Sequence, residues 1–352
     1  MTKIVLDAVG GDHAPTETVA GVAHALERGF VSPDEVLLTG PEAQVREAAR
    51  AAGLPDEVQV VDAPDVLTPT DTPTDALRKK RRNSIAVGMG LVKAGQAAGF
   101  VSAGSTGTVV AAATVALRYL EGIRKACIGA LIEGERHPFL VLDVGANPQP
   151  KPQHLAQFAL MGSAYYQCQF RVEEPSVGIL NIGSEDKKGS PLVLEARRIM
   201  QEMPIAFRGN VEGVEVFSGD CHVVVTDGFS GNVLLKTSEG VAEYLLRLAF
   251  GEMAKAGIAK EQIQAVQRAI LPRVDFSEYG GALLLGVEGV VTICHGRSRA
   301  PAFANALRFA KRAIEGEVNR HIVEAARSFQ PTDRSEDSGG SEDHDESSQP
   351  SP

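Results

Sequence analysis

Four apolar, strand-like runs in this chain each end in a short glycine-bearing turn, and that repeated unit constrains the fold more than any bulk property. Ile4-Val5-Leu6 leads into Asp7-Ala8-Val9-Gly10-Gly11-Asp12, and Gly99-Phe100-Val101 into Ser102-Ala103-Gly104-Ser105-Thr106-Gly107. Val177-Gly178-Ile179-Leu180 leads into Asn181-Ile182-Gly183-Ser184, and Val223-Val224-Val225-Thr226 into Asp227-Gly228-Phe229-Ser230-Gly231-Asn232. Short β runs that alternate with helical patterns build a mostly parallel sheet covered by helices. Glycine lets backbone N–H groups come close to an anion, and a helix that starts at the turn points its positive end toward it. Several such turns outline an anion-binding crevice along the carboxyl edge of the sheet.

The rhythm holds along most of the chain. Strands are expected at 4–7, 35–39, 58–61, 100–102, 126–132, 139–143 and 287–294. Helices are expected near 15–28, 41–52, 85–96, 107–120, 154–170 and 192–203, as a pair at 241–255 and 260–270, and as one long helix at 302–326. Asp143-Val144-Gly145-Ala146-Asn147 adds a fifth polar turn. Residues 62–82 break the pattern with Pro64, Pro69 and Pro73 and then five consecutive cations, Arg78, Lys79, Lys80, Arg81 and Arg82; this reads as a lid or long loop leading into a helix. The leucine-rich pair at 241–270 reads as core or as a dimer interface.

Charge divides the chain. Residues 330–352 hold seven carboxylates against Arg334 alone, so more than half of the formal net charge of −10 lies there. That segment lacks apolar residues and is expected to be a disordered acidic tail behind one α/β domain at 1–329. No apolar stretch reaches the roughly 20 residues of a spanning helix, and no apolar leader pattern follows Met1, so a cytoplasmic protein is expected. An acidic chain without a reader motif gives no support to a nucleic-acid partner. Cys127, Cys168, Cys221 and Cys294 lack C-x-x-C spacing and the eight histidines lack zinc spacing, so buried thiols and no metal site are expected.

The turns differ in chemistry. Ser102–Gly107 has the small and hydroxyl residues of a phosphate nest, although a plain tight turn has the same composition. It matches neither a Walker A loop nor a dinucleotide fingerprint, so no nucleotide cofactor is expected and an oxidoreductase is disfavoured. Asn181–Gly189 places Lys187 and Lys188 after a strand, where a lysine neutralises an oxyanion or simply faces solvent. Asp227–Asn232 with Lys236 puts an acid, two glycines, an amide and a cation at the mouth of a helix. Cys294 and His295 are consecutive on a strand, so they face opposite sides and do not make a nucleophile–base pair. The basic run is either a solvated helix start or an electropositive lip for an anionic partner.

Taken together, these blocks resemble the bacterial acyl-carrier-protein:phosphate acyltransferase family. The resemblance rests on D-A-V-G-G-D-H-A-P at 7–15, R-K-K-R-R-N-S-I at 78–85, S-A-G-S-T-G-T at 102–108, L-D-V-G-A-N at 142–147, L-N-I-G-S-E-D-K-K-G at 180–189 and F-R-G-N-V-E-G at 207–213. It continues through V-T-D-G-F-S-G-N-V-L-L-K-T-S-E-G at 225–240, Y-G-G-A-L-L-L-G at 279–286 and I-C-H-G at 293–296. The chain departs from it at Val9, where members carry methionine, at Ser105, where they carry asparagine, and in its longer basic run.

The resemblance implies a Rossmann-like three-layer α/β/α sandwich akin to phosphotransacetylases and isocitrate-dehydrogenase-like enzymes. It implies transfer of a fatty acyl group from acyl carrier protein to inorganic phosphate, giving an acyl phosphate for phospholipid synthesis. Phosphate is then the nucleophile, and the site has to position two anionic partners and stabilise the thioester oxyanion. On this reading Lys188 and Asn232 address the reacting groups and Asp12 and Asp227 orient them. Gly104, Ser105, Thr106 and Gly107 hold phosphate, and Gly10, Gly11, Asn147, Gly183 and Gly231 line the substrate. Arg78 to Arg82 dock the acidic carrier. A homodimer, peripheral membrane contact near 250–258 and a glycerol-3-phosphate acyltransferase partner are further family expectations. A phosphotransacetylase acting on acyl-CoA and a non-catalytic lipid-synthesis scaffold are the competing readings.

Overall fold

The computed structural model describes residues 3–68, 70–274 and 279–328, so the acidic tail at 330–352 lies outside the described residues. The first half contains β1 (Ile4–Asp7), α1 (Thr16–Glu27), β2 (Val36–Gly40), α2 (Glu42–Ala51), β3 (Gln59–Asp62), α3 (Pro73–Arg78), α4 (Ser84–Lys93), β4 (Gly99–Ser102), α5 (Thr106–Leu117), β5 (Cys127–Ile132) and β6 (Phe139–Leu142). The second half contains α6 (Pro152–Phe170), β7 (Ser176–Asn181), α7 (Pro191–Gln201), β8 (Ala206–Glu212), β9 (Val223–Val225), α8 (Gly228–Lys255), α9 (Lys260–Val274), β10 (Ala282–Leu285), β11 (Val290–Ile293), α10 (Ala300–Glu315) and α11 (Val318–Ser328).

All these strands join one sheet in the order β3-β2-β1-β4-β11-β10-β5-β6-β9-β7-β8. The members β3, β2, β1, β4 and β11 run parallel, as do β6, β9, β7 and β8. Between the two blocks, β10 is antiparallel to β11 and β5, and β5 is antiparallel to β6. The blocks therefore point in opposite directions. This corrects the expectation of one carboxyl edge: the first two glycine turns end one block, and the third and fourth end the other.

Strand alternation builds the layers. Ile4 and Leu6 of β1 enter one apolar cluster with α1, α6, α10 and α11, while Val5 enters the other with α4 and α5. The result is a mixed, mostly parallel sheet with helices on both faces. Side-chain caps start several helices. Asn83 accepts from the Ala86 amide at 2.9 Å ahead of α4, and Thr72 caps α3 inside the segment expected to be a lid.

Three elements depart from the sequence expectation. The 302–326 helix is broken into α10 and α11 at Gly316 and Glu317, whose φ is +53°. The strands β8 and β10 were not anticipated: β8 is a polar edge strand with a bulge, and β10 is only four residues long. The pair at 241–270 is not core. Only Gly228 and Gly231 are buried in α8, and Val241, Tyr244, Leu245 and Leu248 are exposed where α8 pairs with α9. Among the described residues, no helix is long and apolar enough to cross a membrane.

Candidate active site

Two buried carboxylates organise the turns. Asp7 closes β1 and is 1% exposed; it receives the Ser102 hydroxyl at 2.7 Å and the Val9 amide at 3.2 Å. The Ser102 oxygen in turn accepts from the Gly104 amide at 2.9 Å. The neighbouring parallel strands β1 and β4 thus end in turns that share one hydrogen-bond network. Burial pushes the Asp7 carboxyl above its ordinary range, opposed by hydrogen bonds from Ser84, Ser102 and the Val9 and Gly10 backbone. Gly10 must be glycine, because a Cβ there would lie 2.5 Å from Asp7 Oδ2 and 2.9 Å from the Gly104 nitrogen.

Asp143 does the same work after β6. It accepts from the amides of Ile128 at 3.0 Å, Gly145 at 3.1 Å, Ala146 at 3.0 Å and Asn147 at 2.6 Å. The Asn147 side chain also reaches it at 2.9 Å, and the Asn147 carbonyl accepts from the Gly228 amide at 2.8 Å. This seats the first turn of α8 against the Asp143–Asn147 turn. A Cβ on Gly231 would collide with the Asp143 carbonyl. Asp227 caps α8, accepting from Phe229 N at 3.0 Å, Ser230 N at 2.9 Å and Ser230 Oγ at 2.7 Å. Asn232 follows one turn later, exposed, and donates one N–H to Val144 O at 2.9 Å.

Between the two systems lies a cleft of about 1430 Å³ over the middle of the sheet. The amino terminus of α5 opens into it. Ser105 makes no side-chain cap there, and Val109 is the residue whose amide returns to Ser105 O, at 3.0 Å. The amides of Thr106, Gly107 and Thr108 therefore lack helical partners, and the helix presents its positive end to the cleft. Gly10, Gly11, Asp12, Gly104, Ser105, Thr106, Gly107 and Asn232 all line this space. Apolar side chains line it as well: Val110 and Ala111 of α5, Leu235 and Leu246 of α8, and Leu271 of α9.

Further charged groups enter from α8, among them Lys236, which the sequence places with the Asp227–Asn232 turn, and from the turn after β11, which the sequence reading does not assign to the site. Lys236 Nζ lies 3.1 Å from Glu239 Oε2 and 3.2 Å from His295 Nε2. Arg297 pairs with Glu243 at 3.1 Å. Lys236 follows Asn232 by four residues, a spacing that puts both on one helix face and was available in the sequence. Burial, with Lys236 and Arg297 nearby, holds the His295 imidazole below its ordinary value. Cys294 points away from any nucleophilic role: its thiol is buried, pushed up to about 12 by that burial, and donates to Gly280 O at 3.1 Å.

The remaining expected residues sit elsewhere. Lys188 is exposed and Gly183 is buried in the loop after β7, two strands beyond β6 and outside the cleft lining. The Asn181 side chain holds that loop through Lys188 O at 2.9 Å. Asn147, Asp227 and Gly231 are outside the cleft lining and seat or cap the start of α8. The basic run is largely neutralised by carboxylates of its own segment: Lys79 pairs with Asp75 at 2.7 Å, Lys80 with Asp71 at 2.6 Å and Arg82 with Asp62 at 3.1 Å. The Lys80 ammonium holds the Asp71 carboxyl at about 2. Arg78 and Arg81 are exposed and have no carboxylate partner among the described residues. Pro73 of α3 lies 3.7 Å from the place of a Cβ on Gly107, so this segment borders the cleft mouth.

Residues 2–321 match the family model described as fatty acid synthesis protein. A phosphate acyltransferase of Desulforamulus reducens is 41% identical over 320 residues, covering 90% of this chain and 94% of that protein. A phosphate acyltransferase of a Cyanothece species is 43% identical over 333 residues, covering 92% and 95%. Among solved structures, a phosphotransacetylase from Streptococcus pyogenes superposes with a TM-score of 0.58 at 20% identity, covering 89% of this chain and 94% of that one.

Proposed function

The chain belongs to the fatty acid synthesis protein family, within which its relatives are phosphate acyltransferases, and from that premise we propose that it moves a fatty acyl group from the thioester of acyl carrier protein to inorganic phosphate. It is an acyltransferase, and acyl transfer to phosphate is its reaction class. The carrier protein as donor and the placement of each group are our reading.

In this reading a phosphate oxygen attacks the thioester carbon, the carbonyl oxygen takes up negative charge, and the carbon–sulfur bond then breaks. Hydrogen phosphate and the thioester become acyl phosphate and free carrier thiol, with the phosphate proton ending on sulfur. The protein supplies no nucleophile. It supplies position and electrostatic stabilisation. The observation that carries the reading is the open amino terminus of α5. Three unpartnered amides beside Gly104 and Ser105 make a site for a dianion, with Asn232 lining the same cleft. The apolar walls on α5, α8 and α9 take the acyl chain. Asp12, at the polar end, helps to orient the phosphate.

Arg78 and Arg81, free of carboxylates at the mouth, favour an acidic protein-borne donor over acyl-CoA. The phosphotransacetylase likeness keeps acyl-CoA as the second reading. Lys188, exposed on the other carboxyl edge, would meet the carrier during approach. The exposed face of the α8–α9 hairpin would carry the homodimer contact, with its far end at a membrane surface where a glycerol-3-phosphate acyltransferase takes up the product. A cytoplasmic location, with peripheral contact at the inner face of the membrane, is part of the same proposal. The test is to incubate the purified chain with phosphate and either palmitoyl carrier protein or acetyl-CoA, and to measure acyl phosphate and released thiol. Turnover with the carrier substrate is expected. Turnover with acetyl-CoA alone would establish the second reading, and no acyl phosphate from either donor would leave the scaffold reading.

A further inference from the structure

Lys236 is a cation lining the cleft to which the proposed reaction has so far given no task. It stands one helical turn after Asn232 on the same face of α8, and both residues line the cleft. Its ammonium has three N–H groups. One is directed at Glu239 Oε2, 3.1 Å away, and one at His295 Nε2, 3.2 Å away, which leaves the third for a ligand. The His295 turn is fixed independently, because the Asp12 amide donates to Gly296 O at 2.8 Å. Lys236 thus joins α8, which packs on the end of β6, to the turns that end β11 and β1.

We infer that Lys236 is a catalytic residue that donates its free N–H, together with Asn232, to the thioester oxygen as it becomes negative, and that His295 is a positioning residue that holds Lys236 in place through an unprotonated Nε2. This rests on the reading of the cleft as a phosphate acyltransferase site. The α5 amides hold the phosphate, so the reacting carbon lies between that anion and the Asn232–Lys236 face. The thioester oxyanion then meets a full positive charge in addition to an amide dipole.

The arrangement has a pH signature. His295 can accept from Lys236 only while Nε2 carries a lone pair. Once protonated it donates there instead, and two cations oppose each other. The charged groups facing His295 are Lys236 and Glu239 from α8, Arg297 from its own turn and Asp12 from the turn after β1. Burial, Lys236 and Arg297 favour the neutral ring and outweigh Glu239 and Asp12, so the ring is neutral at pH 7 and protonates below its ordinary value of 6.5.

The experiment is kcat against pH for wild type, Lys236→Gln, Lys236→Arg and His295→Gln, with palmitoyl carrier protein and phosphate as substrates and melting temperature as the check on folding. Wild type that makes no acyl phosphate sinks the underlying reading, not this inference alone. Given active wild type, Lys236→Gln is expected to lower kcat by about 10²–10³ with a small change in the KM for phosphate, and Lys236→Arg to recover part of the loss. His295→Gln, whose amide oxygen accepts at every pH, is expected to lose the acid limb below pH 6.5 that wild type shows. A folded Lys236→Gln within a few-fold of wild type overturns the inference. If Lys236→Gln does not fold, an acid limb unchanged in His295→Gln overturns it.

Discussion

The Ser102 hydroxyl donates a 2.7 Å hydrogen bond to the Asp7 carboxylate across 95 residues of sequence. The bond crosses the pairing of β1 with β4, and both side chains are almost completely buried. Ser102 passes the constraint on through the Gly104 amide, so one carboxylate sets the spacing between two glycine turns. The cleft is therefore shaped by groups that need not touch a substrate.

Asp7 gives a stability prediction with a definite sign. Its carboxyl sits above the ordinary range in the fold, because burial outweighs its hydrogen bonds. The unfolded chain then loses the proton first as pH rises, and the fold loses relative stability from about pH 3.8 up to the folded value. Asp7→Asn has no such term. Urea unfolding across pH 3.5–6.5 should show the difference in stability, wild type minus Asp7→Asn, falling as pH rises. A difference independent of pH would show that Asp7 titrates alike in both states.

Asn232 and Lys188 separate the cleft from its surroundings. Asn232 lines the cleft and keeps an amide N–H beyond the one given to Val144 O. Asn232→Ala should lower kcat by about 10²–10³ with a modest change in KM. Lys188 is exposed outside the lining, so Lys188→Ala should raise the KM for the carrier substrate and leave kcat close to wild type. Steady-state kinetics with varied carrier substrate decides; a large kcat loss in folded Lys188→Ala would bring the β7 loop into the reacting site.

The basic run divides into structural and free cations. Lys80 binds both Asp71 and Val66 O, so Lys80→Ala should loosen the segment and lower the melting temperature. Arg78→Glu with Arg81→Glu should leave the melting temperature unchanged and weaken use of the carrier. Losing two favourable charges at an exposed rim acts mainly on association, so the effect should shrink as salt rises. A KM for carrier substrate that is the same in the double variant at low salt would remove these residues from the docking surface.

The α8–α9 hairpin supplies a test of assembly. Leu245 and Leu248 are 53% and 47% exposed, a solvent-facing pair without a partner in the described chain. Leu245→Glu with Leu248→Glu should turn a dimer into a monomer in sedimentation velocity while circular dichroism stays the same. Phe250→Glu with Ile258→Glu, further along the hairpin, should instead reduce flotation with anionic vesicles. A double Leu variant that stays dimeric would place the interface elsewhere.

Most of the elements were legible because each carries its own signal. Apolar runs of three to six residues mark β1, β4, β5, β6, β7 and β9. The strand β8 escaped because an edge strand buries little and so keeps no apolar pattern. The sequence shows the mouth of a helix at Asp227–Asn232 and a helical pattern over 241–255; that one helix, α8, runs unbroken between them is shown by the structure. The cations of 78–82 look unexplained in the sequence because two of their partners, Asp71 and Asp62, lie nine residues before Lys80 and twenty before Arg82, at no helical spacing; Asp75 alone stands at i,i+4 to its partner, Lys79.

The amino-acid sequence alone determined the α/β alternation, the glycine turns that close its strands and the family to which the chain belongs, because those are local properties of spacing and residue type. Tertiary structure decided which turns meet. The reversal of strand direction at β10 and β5 depends on long-range pairing, and no local signal encodes it. That reversal brings the turns after β1, β4, β6 and β11 to one cleft and leaves the turn after β7 outside. It also sets Lys236 against His295 across 59 residues, which makes an ordinary helix lysine and an ordinary strand-end histidine into one site.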